Sequence, residues 1–355
     1  MRHHSRSSSS GPRRKWPGGW RWLLVLAVLA VGAWFWWRHE HPPKIIRAPV
    51  KAVTPRQRPF VVAHESAADF PRPVRDVFEA QVALARQAIS SGSIDAALGS
   101  QTRRAISVYQ ELQHLPVTGT LNADTRARLM LTAPLATTYV VTTNDLARLQ
   151  PLGKTWLAKS QQTALEYETE LELVAEKFHS HPELIRRMNL SVNWTNIAAG
   201  TVLQVPDVEY PAVSNQAAFV VIHLADKYLQ AFDAETNVLT HFPCSIAANV
   251  EKRPVGELHV VVIAPHPNYT FDPELFPESP EARKLDHKLI LPPGPNNSVG
   301  VAWIGLDKTG YGIHGTPNPE QVGRTESHGC FRLANWDAEY LSKLVWIGMP
   351  VYVEP

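Results

Sequence analysis

The sequence predicts a multidomain protein: a mainly-β domain at the C-terminal end, preceded by a small three-helix domain and an α+β module. Three observations predict it. At 355 residues the chain exceeds one ordinary domain, and with 44% hydrophobic and 19% charged residues it can build more than one core. From Ala217 onward, short runs rich in Val, Ile, Phe and Tyr alternate with turn clusters such as ADK at Ala225–Lys227 and DAETN at Asp233–Asn237, the pattern of a β meander. Between Val77 and Pro206, apolar residues recur instead at helical spacing, broken by SSGS and PVTG.

The N-terminus divides into three stretches. Residues 1–19 are rich in Ser, Gly and Arg and read as a tail on the cytoplasmic side. Residues 20–38 hold the apolar run LLVLAVLAVGAWFWW and read as a transmembrane anchor with tryptophans at both ends. The alternative is a cleaved signal peptide, but WFWWRHEHPP offers no small-x-small cleavage site and no lipobox cysteine. Arg2, Arg6, Arg13, Arg14, Lys15 and Arg21 precede the run, whereas Arg38, Lys44, Arg47 and Lys51 follow it. That bias predicts a single-pass inner-membrane protein with everything after the anchor in the periplasm or cell envelope. Residues 39–75, with repeated Pro and basic residues, read as a stiff linker.

Residues 76–132 read as three helices, with Gly99 to Thr102 capping the second and Asp124 and Thr125 opening the third. The pattern resembles the peptidoglycan-binding domain of wall enzymes: Asp95, Gly99, Thr102, Ala105, Tyr109, Gln110, Gly119 and Thr125 match, while Ala96 and Asn122 stand where that pattern has glycines. A plain helical spacer is the competing reading. Residues 138–208 read as strand, two helices and strand. They resemble a LysM module through Leu171, Val174, Ala175, Phe178, Leu184, Asn189, Gly200, Val205 and Pro206, although some twenty residues between Asn144 and Tyr167 interrupt the pattern. The two resemblances imply glycan strands as partners. The residues of the second module alone equally describe a packing platform for the domain that follows.

In the last domain, residues 217–355, further strands are read at GELHVVVIAP, GVAWIGL, YGIHGT and VYVEP. One helix opens around Asn335 as N-cap, with Asp337 and Glu339 in an acidic first turn and Gly348 beyond its end. The Pro-rich stretch from Pro265 to Gly300 is long for a connection inside a compact β domain and reads as a wall of a binding cleft, with Tyr269, Phe271 and Trp303 as apolar contacts.

The chemistry gathers near the end. Cys330 lies in a polar loop with His328 two residues before it and Gly329 beside it, and His314 lies upstream in IHGT. A free thiol with a pKa of about 8.5 is mostly protonated at neutral pH, so it needs a neighbouring base to attack an amide. Gly329 allows a sharp turn that aims its own N–H and that of Cys330 at a developing oxyanion. His314, His328 and Cys330 are also residue types that bind zinc, but no fourth ligand is evident, and neither a metal nor another cofactor is expected. Cys244, in FPCSI, reads as a small core residue, and both cysteines as free thiols. A formal net charge of +2, with the basic residues gathered at the N-terminus, argues against nucleic acid as a partner.

HGT followed by SHGC, with 15 residues between His314 and Cys330, and then FRL, resembles the L,D-transpeptidase catalytic domain family. RPVG at Arg253–Gly256 and LPPGPNNSVG at Leu291–Gly300 sit where that family has related turns. The resemblance implies a β-sandwich of mixed sheets and a role in peptidoglycan biosynthesis, cell-wall biogenesis and cell shape. It implies Cys330 as nucleophile, His314 as its base, and His328 and Gly329 completing the catalytic set. Thr316, Ser327 and Arg332 are implied to bind substrate. The reaction implied is attack on a peptidoglycan stem peptide, release of a terminal D-alanine and passage of the acyl group to an amine. Water as acceptor, giving a carboxypeptidase, and a non-catalytic wall-binding scaffold are the alternatives.

Overall fold

The computed structural model describes residue 60 and residues 67–324 and 329–355. The expected tail, the expected anchor and most of the expected linker lie outside the described residues. The single-pass inner-membrane location is corrected: among the described residues no helix is long and apolar enough to cross a membrane.

The first domain holds β1 (Arg72–Pro73), α1 (Val77–Ala85), α2 (Ser100–Leu112), α3 (Ala123–Arg128) and β2 (Met130–Leu131), with β1 and β2 paired antiparallel. Asp76 caps α1 by accepting the Glu79 N–H at 3.0 Å. Asp124 and Thr125 lie in the first turn of α3, and Asn122 caps it, because its side-chain oxygen reaches the Thr125 N–H at 2.9 Å. Gln110 donates to Thr125 Oγ1 at 2.7 Å and accepts from the Thr118 and Gly119 N–H groups, so these pattern residues act as internal braces.

The second module runs β3 (Ala136–Val140), α4 (Thr143–Ala147), α5 (Trp156–Ser160), α6 (Glu170–Lys177), α7 (Pro182–Met188) and β4 (Val202–Pro206), with β3 and β4 antiparallel. Four helices replace the two expected. The additional α5 belongs to the interrupting stretch, and its Trp156 stacks on Phe271 of the last domain at 4.3 Å. Asn189, at the end of α7, fixes β4 by donating to Gln204 O at 2.7 Å and accepting from the Gln204 N–H at 2.7 Å.

The last domain contributes β5 (Phe219–His223), β6 (Tyr228–Phe232), β7 (Val238–Pro243), β8 (Gly256–Pro265), β9 (Tyr269–Phe271), β10 (Leu289–Leu291), β11 (Ala302–Leu306), β12 (Gly312–His314), β13 (Phe331–Arg332), α8 (Asn335–Leu344) and β14 (Pro350–Glu354). One eight-stranded sheet runs in the order β13-β12-β11-β8-β14-β5-β6-β7. The expected sandwich is therefore a single curled sheet. Its pivot is β8, whose first residues pair with β14 (Gly256↔Val353 to His259↔Pro350) and whose later residues pair with β11 (Val260↔Leu306 to Pro265↔Ala302). The halves enclose one core with α8, in which Ile222, Leu229, Phe242, Val260, Ile304, Phe331 and Leu341 are buried. Burying each such side chain contributes about 1.5–3 kcal/mol. At the far edges the curl closes: Ser245, just past β7, bridges Arg332 of β13 through N–H···O bonds of 2.8 and 2.9 Å.

The helix expected to open on Asn335 as a cap starts one residue earlier. Ala334 occupies the N-cap position, and the Asn335 side chain points elsewhere. Asp337 is fully buried, accepts from Tyr210 Oη at 2.5 Å and Ser90 Oγ at 3.2 Å, and is pushed by burial up to about 7. An acidic first turn thus becomes a buried tie to the first domain.

Candidate active site

Two short parallel strands bring the chemistry together. β12 ends on His314 and β13 begins one residue after Cys330, with Ile313 opposite Phe331 and His314 opposite Arg332. A parallel pair cannot be joined by a tight turn, so the intervening stretch must leave the sheet and return. That stretch is held from outside the domain by Gln101 of α2, which donates to Val322 O, and from within it by Ser245, whose Oγ accepts the Gly323 N–H at 2.8 Å.

His314 is buried, with its ring stacked on Trp303 at 5.7 Å and 22°. Its Nδ1 lies 2.6 Å from the carbonyl oxygen of Gly315. A carbonyl only accepts, so Nδ1 carries the proton and Nε2 holds a free lone pair in the neutral ring. Burial lowers its pKa to about 4, with the Arg332 charge acting in the same direction. At neutral pH the ring is a neutral base in a fixed tautomer.

Cys330 is half-buried, and its thiol lies 3.4 Å from Gly310 O. Burial raises its pKa, and a backbone hydrogen bond from Gly312 and the Arg332 charge only partly offset this. With its pKa raised, the Cys330 side chain is a thiol at neutral pH and not a preformed thiolate. For such a thiol to attack a carbonyl, a base would have to take its proton, which a neutral imidazole can do and an imidazolium cannot. Cys244 is fully exposed to none of this: it is buried in the core, and its pKa is pushed up to about 12.

Arg332 is largely enclosed. Its Nε is buried without a hydrogen-bond partner among the described residues. Its charge acts on Cys330, Cys244 and His314 alike. A buried guanidinium N–H is costly unless an acceptor arrives, so this group suits an anionic ligand. Thr316 is buried and accepts the Asn318 N–H at 3.3 Å, a local turn contact. A Cβ on Gly329 would meet only Tyr311 Cε1, at 3.9 Å, among the described residues. His328 and Ser327 lie outside the described residues.

Of the apolar contacts expected in the long loop, Tyr269 is close enough for Cys330 to influence its titration, and Trp303 stacks on His314. Phe271 is corrected: it is fully buried in a separate small core with Leu165, Leu289 and Leu291. Sequence reasoning missed the role of Asn335. Its Oδ1 accepts the Val301 N–H at 3.3 Å, and its Nδ2 donates to Pro295 O and to Glu176 of α6, each at 3.1 Å. Only its place directly after FRLA marked it out.

Residues 217–353 match the L,D-transpeptidase catalytic domain family, and residues 74–129 match the peptidoglycan binding domain family. The chain carries an L,D-transpeptidase catalytic domain. Among the relatives, the protein named L,D-transpeptidase YkuD in Bacillus licheniformis is 25% identical over 185 residues, covering 52% of this chain and 93% of that one. YqjB of Bacillus subtilis, also named an L,D-transpeptidase, is 35% identical over 105 residues, covering 28% of this chain and 51% of that one. A solved structure of L,D-transpeptidase 3 from Mycobacterium tuberculosis is 19% identical with a TM-score of 0.30, covering 45% of this chain and 77% of that one. The assignment accordingly rests on the sequence matches.

Proposed function

We propose that this L,D-transpeptidase acts on peptidoglycan stem peptides through a Cys330 thioester. His314 Nε2 takes the thiol proton as sulfur attacks the carbonyl carbon before a terminal D-alanine. The C–N bond then breaks, and the proton passes to the departing D-alanine amine. An acceptor amine attacks the thioester carbonyl, loses its proton to His314, and returns the sulfur as thiol. Gly329 and Cys330 N–H groups stabilise the oxyanion, and His328 supports the thiol's hydrogen bonding. Arg332 binds a stem-peptide carboxylate, with Ser327 and Thr316 alongside.

The observation that carries the reading is His314, neutral and held by Gly315 O in the tautomer that leaves Nε2 free, on the strand paired with the one Cys330 leads into. The matched peptidoglycan binding domain supports wall as the substrate. The experiment is mass spectrometry of muropeptides incubated with the protein. Cross-linked products lacking D-alanine are expected from wild type and none from Cys330→Ala. Cys330→Ser should retain little activity, because a hydroxyl is the poorer nucleophile. Full activity in Cys330→Ala would sink the proposal, and D-alanine release without cross-links would make the enzyme a carboxypeptidase.

A further inference from the structure

We infer that Glu176, on α6 of the second module, is a positioning residue for the catalytic His314, acting through Asn335. This rests on the reading above, in which His314 is the base.

The connection is short and each link is explicit. Both Glu176 carboxylate oxygens lie 3.1 Å from Asn335 Nδ2, and Tyr167 Oη donates to Glu176 Oε1 at 3.1 Å. Asn335 has two amide hydrogens and uses both, one toward Glu176 and one toward Pro295 O at 3.1 Å, while its oxygen takes the Val301 N–H. The amide is buried and fully satisfied, so it has one orientation. A Cβ on Gly300 or on Gly315 would collide with Asn335 Oδ1, so both backbones pack directly on that amide. Gly315 is the residue whose carbonyl holds His314 Nδ1 at 2.6 Å and whose N–H reaches Ala302 O at 3.2 Å. Glu176 therefore orients Asn335, Asn335 sets the backbone at Gly315, and Gly315 sets the imidazole.

The same module grips the neighbouring backbone twice more. Glu172, one turn earlier on α6, accepts from Asn296 Nδ2 at 2.5 Å. Leu165 donates to Pro293 O at 2.8 Å and accepts the Asn296 N–H at 2.9 Å. Gly294 has φ +143°, and a Cβ there would strike the Leu165 backbone. Three contacts on one eight-residue segment, Pro293 to Gly300, align the module with the catalytic cleft and leave it little freedom as a separately tethered domain.

The test is a double-mutant cycle. Glu176→Ala should lower kcat about tenfold to a hundredfold, the range for losing a supporting partner of a catalytic ligand, with KM within about twofold. On a His314→Ala background the same change should cost almost nothing further, because its target is gone. Glu176→Gln, which keeps an acceptor for Asn335, should recover most of kcat. If Glu176→Ala does not fold, Tyr167→Phe removes one hydrogen bond to Glu176 without opening a cavity and carries the same cycle with a smaller loss. An unchanged kcat, an equal loss on the His314→Ala background, or no recovery with Gln would overturn the inference. Should wild type release no D-alanine, the proposed function falls, and the joint is still decided by the rate at which iodoacetamide labels Cys330. Glu176→Ala should slow that labelling as much as His314→Ala does, and an unchanged rate would overturn it.

Discussion

His314 Nδ1 and the Gly315 carbonyl oxygen lie 2.6 Å apart, a contact within one dipeptide that fixes which ring nitrogen can accept a proton. Because burial holds this imidazole near 4, it is neutral above that pH and protonated below it. The acid limb of the kcat/KM profile should therefore fall with an apparent pKa near 4, well under the roughly 6.5 of a free imidazole. A limb at or above 6.5 in the pH–rate profile would show that the ring is not in the neutral resting state.

The two cysteines should react differently. Cys330 is half-buried and Cys244 fully buried with its pKa near 12. Treatment of folded protein with iodoacetamide, followed by peptide mass mapping, should modify Cys330 and leave Cys244 intact until denaturant is added. A carbapenem should likewise add its mass to the Cys330 peptide. An adduct on Cys244 in folded protein would contradict the assignment of the nucleophile.

Arg332→Ala removes the buried guanidinium whose Nε has no partner among the described residues. If it binds a substrate carboxylate, KM for donor peptide should rise about tenfold to a hundredfold, the worth of a charged hydrogen bond. Labelling of Cys330 by a small reagent should change far less. Steady-state kinetics with unchanged donor KM would leave Arg332 a purely structural part.

In the first domain, Arg72 and Glu79 form a paired contact at 2.7 and 2.8 Å, nearly closed to solvent. Burial pushes the Glu79 carboxyl up, but hydrogen bonds from Arg72 and the Arg75 N–H prevail and hold it below its ordinary value. The pair's contribution is present above the unfolded carboxyl pKa of roughly 4.3 and is lost as pH falls through the lower folded value. Denaturation at pH 7 should show Glu79→Ala destabilised by about 3–5 kcal/mol, with the gap to wild type shrinking in strong acid. A pH-independent gap would exclude the charge as its source.

Much of the site was readable because its signal is local. The β meander follows from alternation over five or six residues, and HGT and SHGC are short segments in which the candidate His314 and Cys330 side chains stand close in sequence to their motif neighbours. What the sequence hid is held by contacts between distant residues. Asn335 and Glu176 are 159 positions apart, and neither type at its place distinguishes a cap or a solvated acid from a buried joint. The interruption between Asn144 and Tyr167 read as damage to a module, yet it supplies Trp156 and Leu165, which hold the last domain. Phe271 was misplaced for the same reason, since the stacking partner that draws it inward lies in that interruption.

The closure of the sheet at Ser245 and Arg332 bears on how this molecule behaves in a crowd. Strand edges are templates on which other chains assemble, and proteins rich in sheet aggregate through them. Here the β13 side is occupied by Ser245, and the β7 side by the first domain, where Ser90 N–H donates to His241 O at 2.8 Å and His241 N–H to Ala88 O at 3.0 Å. The first domain thus covers the β7 edge at His241. Cutting it away would expose a hydrogen-bonding edge, and self-association of the truncated chain, read by light scattering, would follow even with every catalytic residue in place.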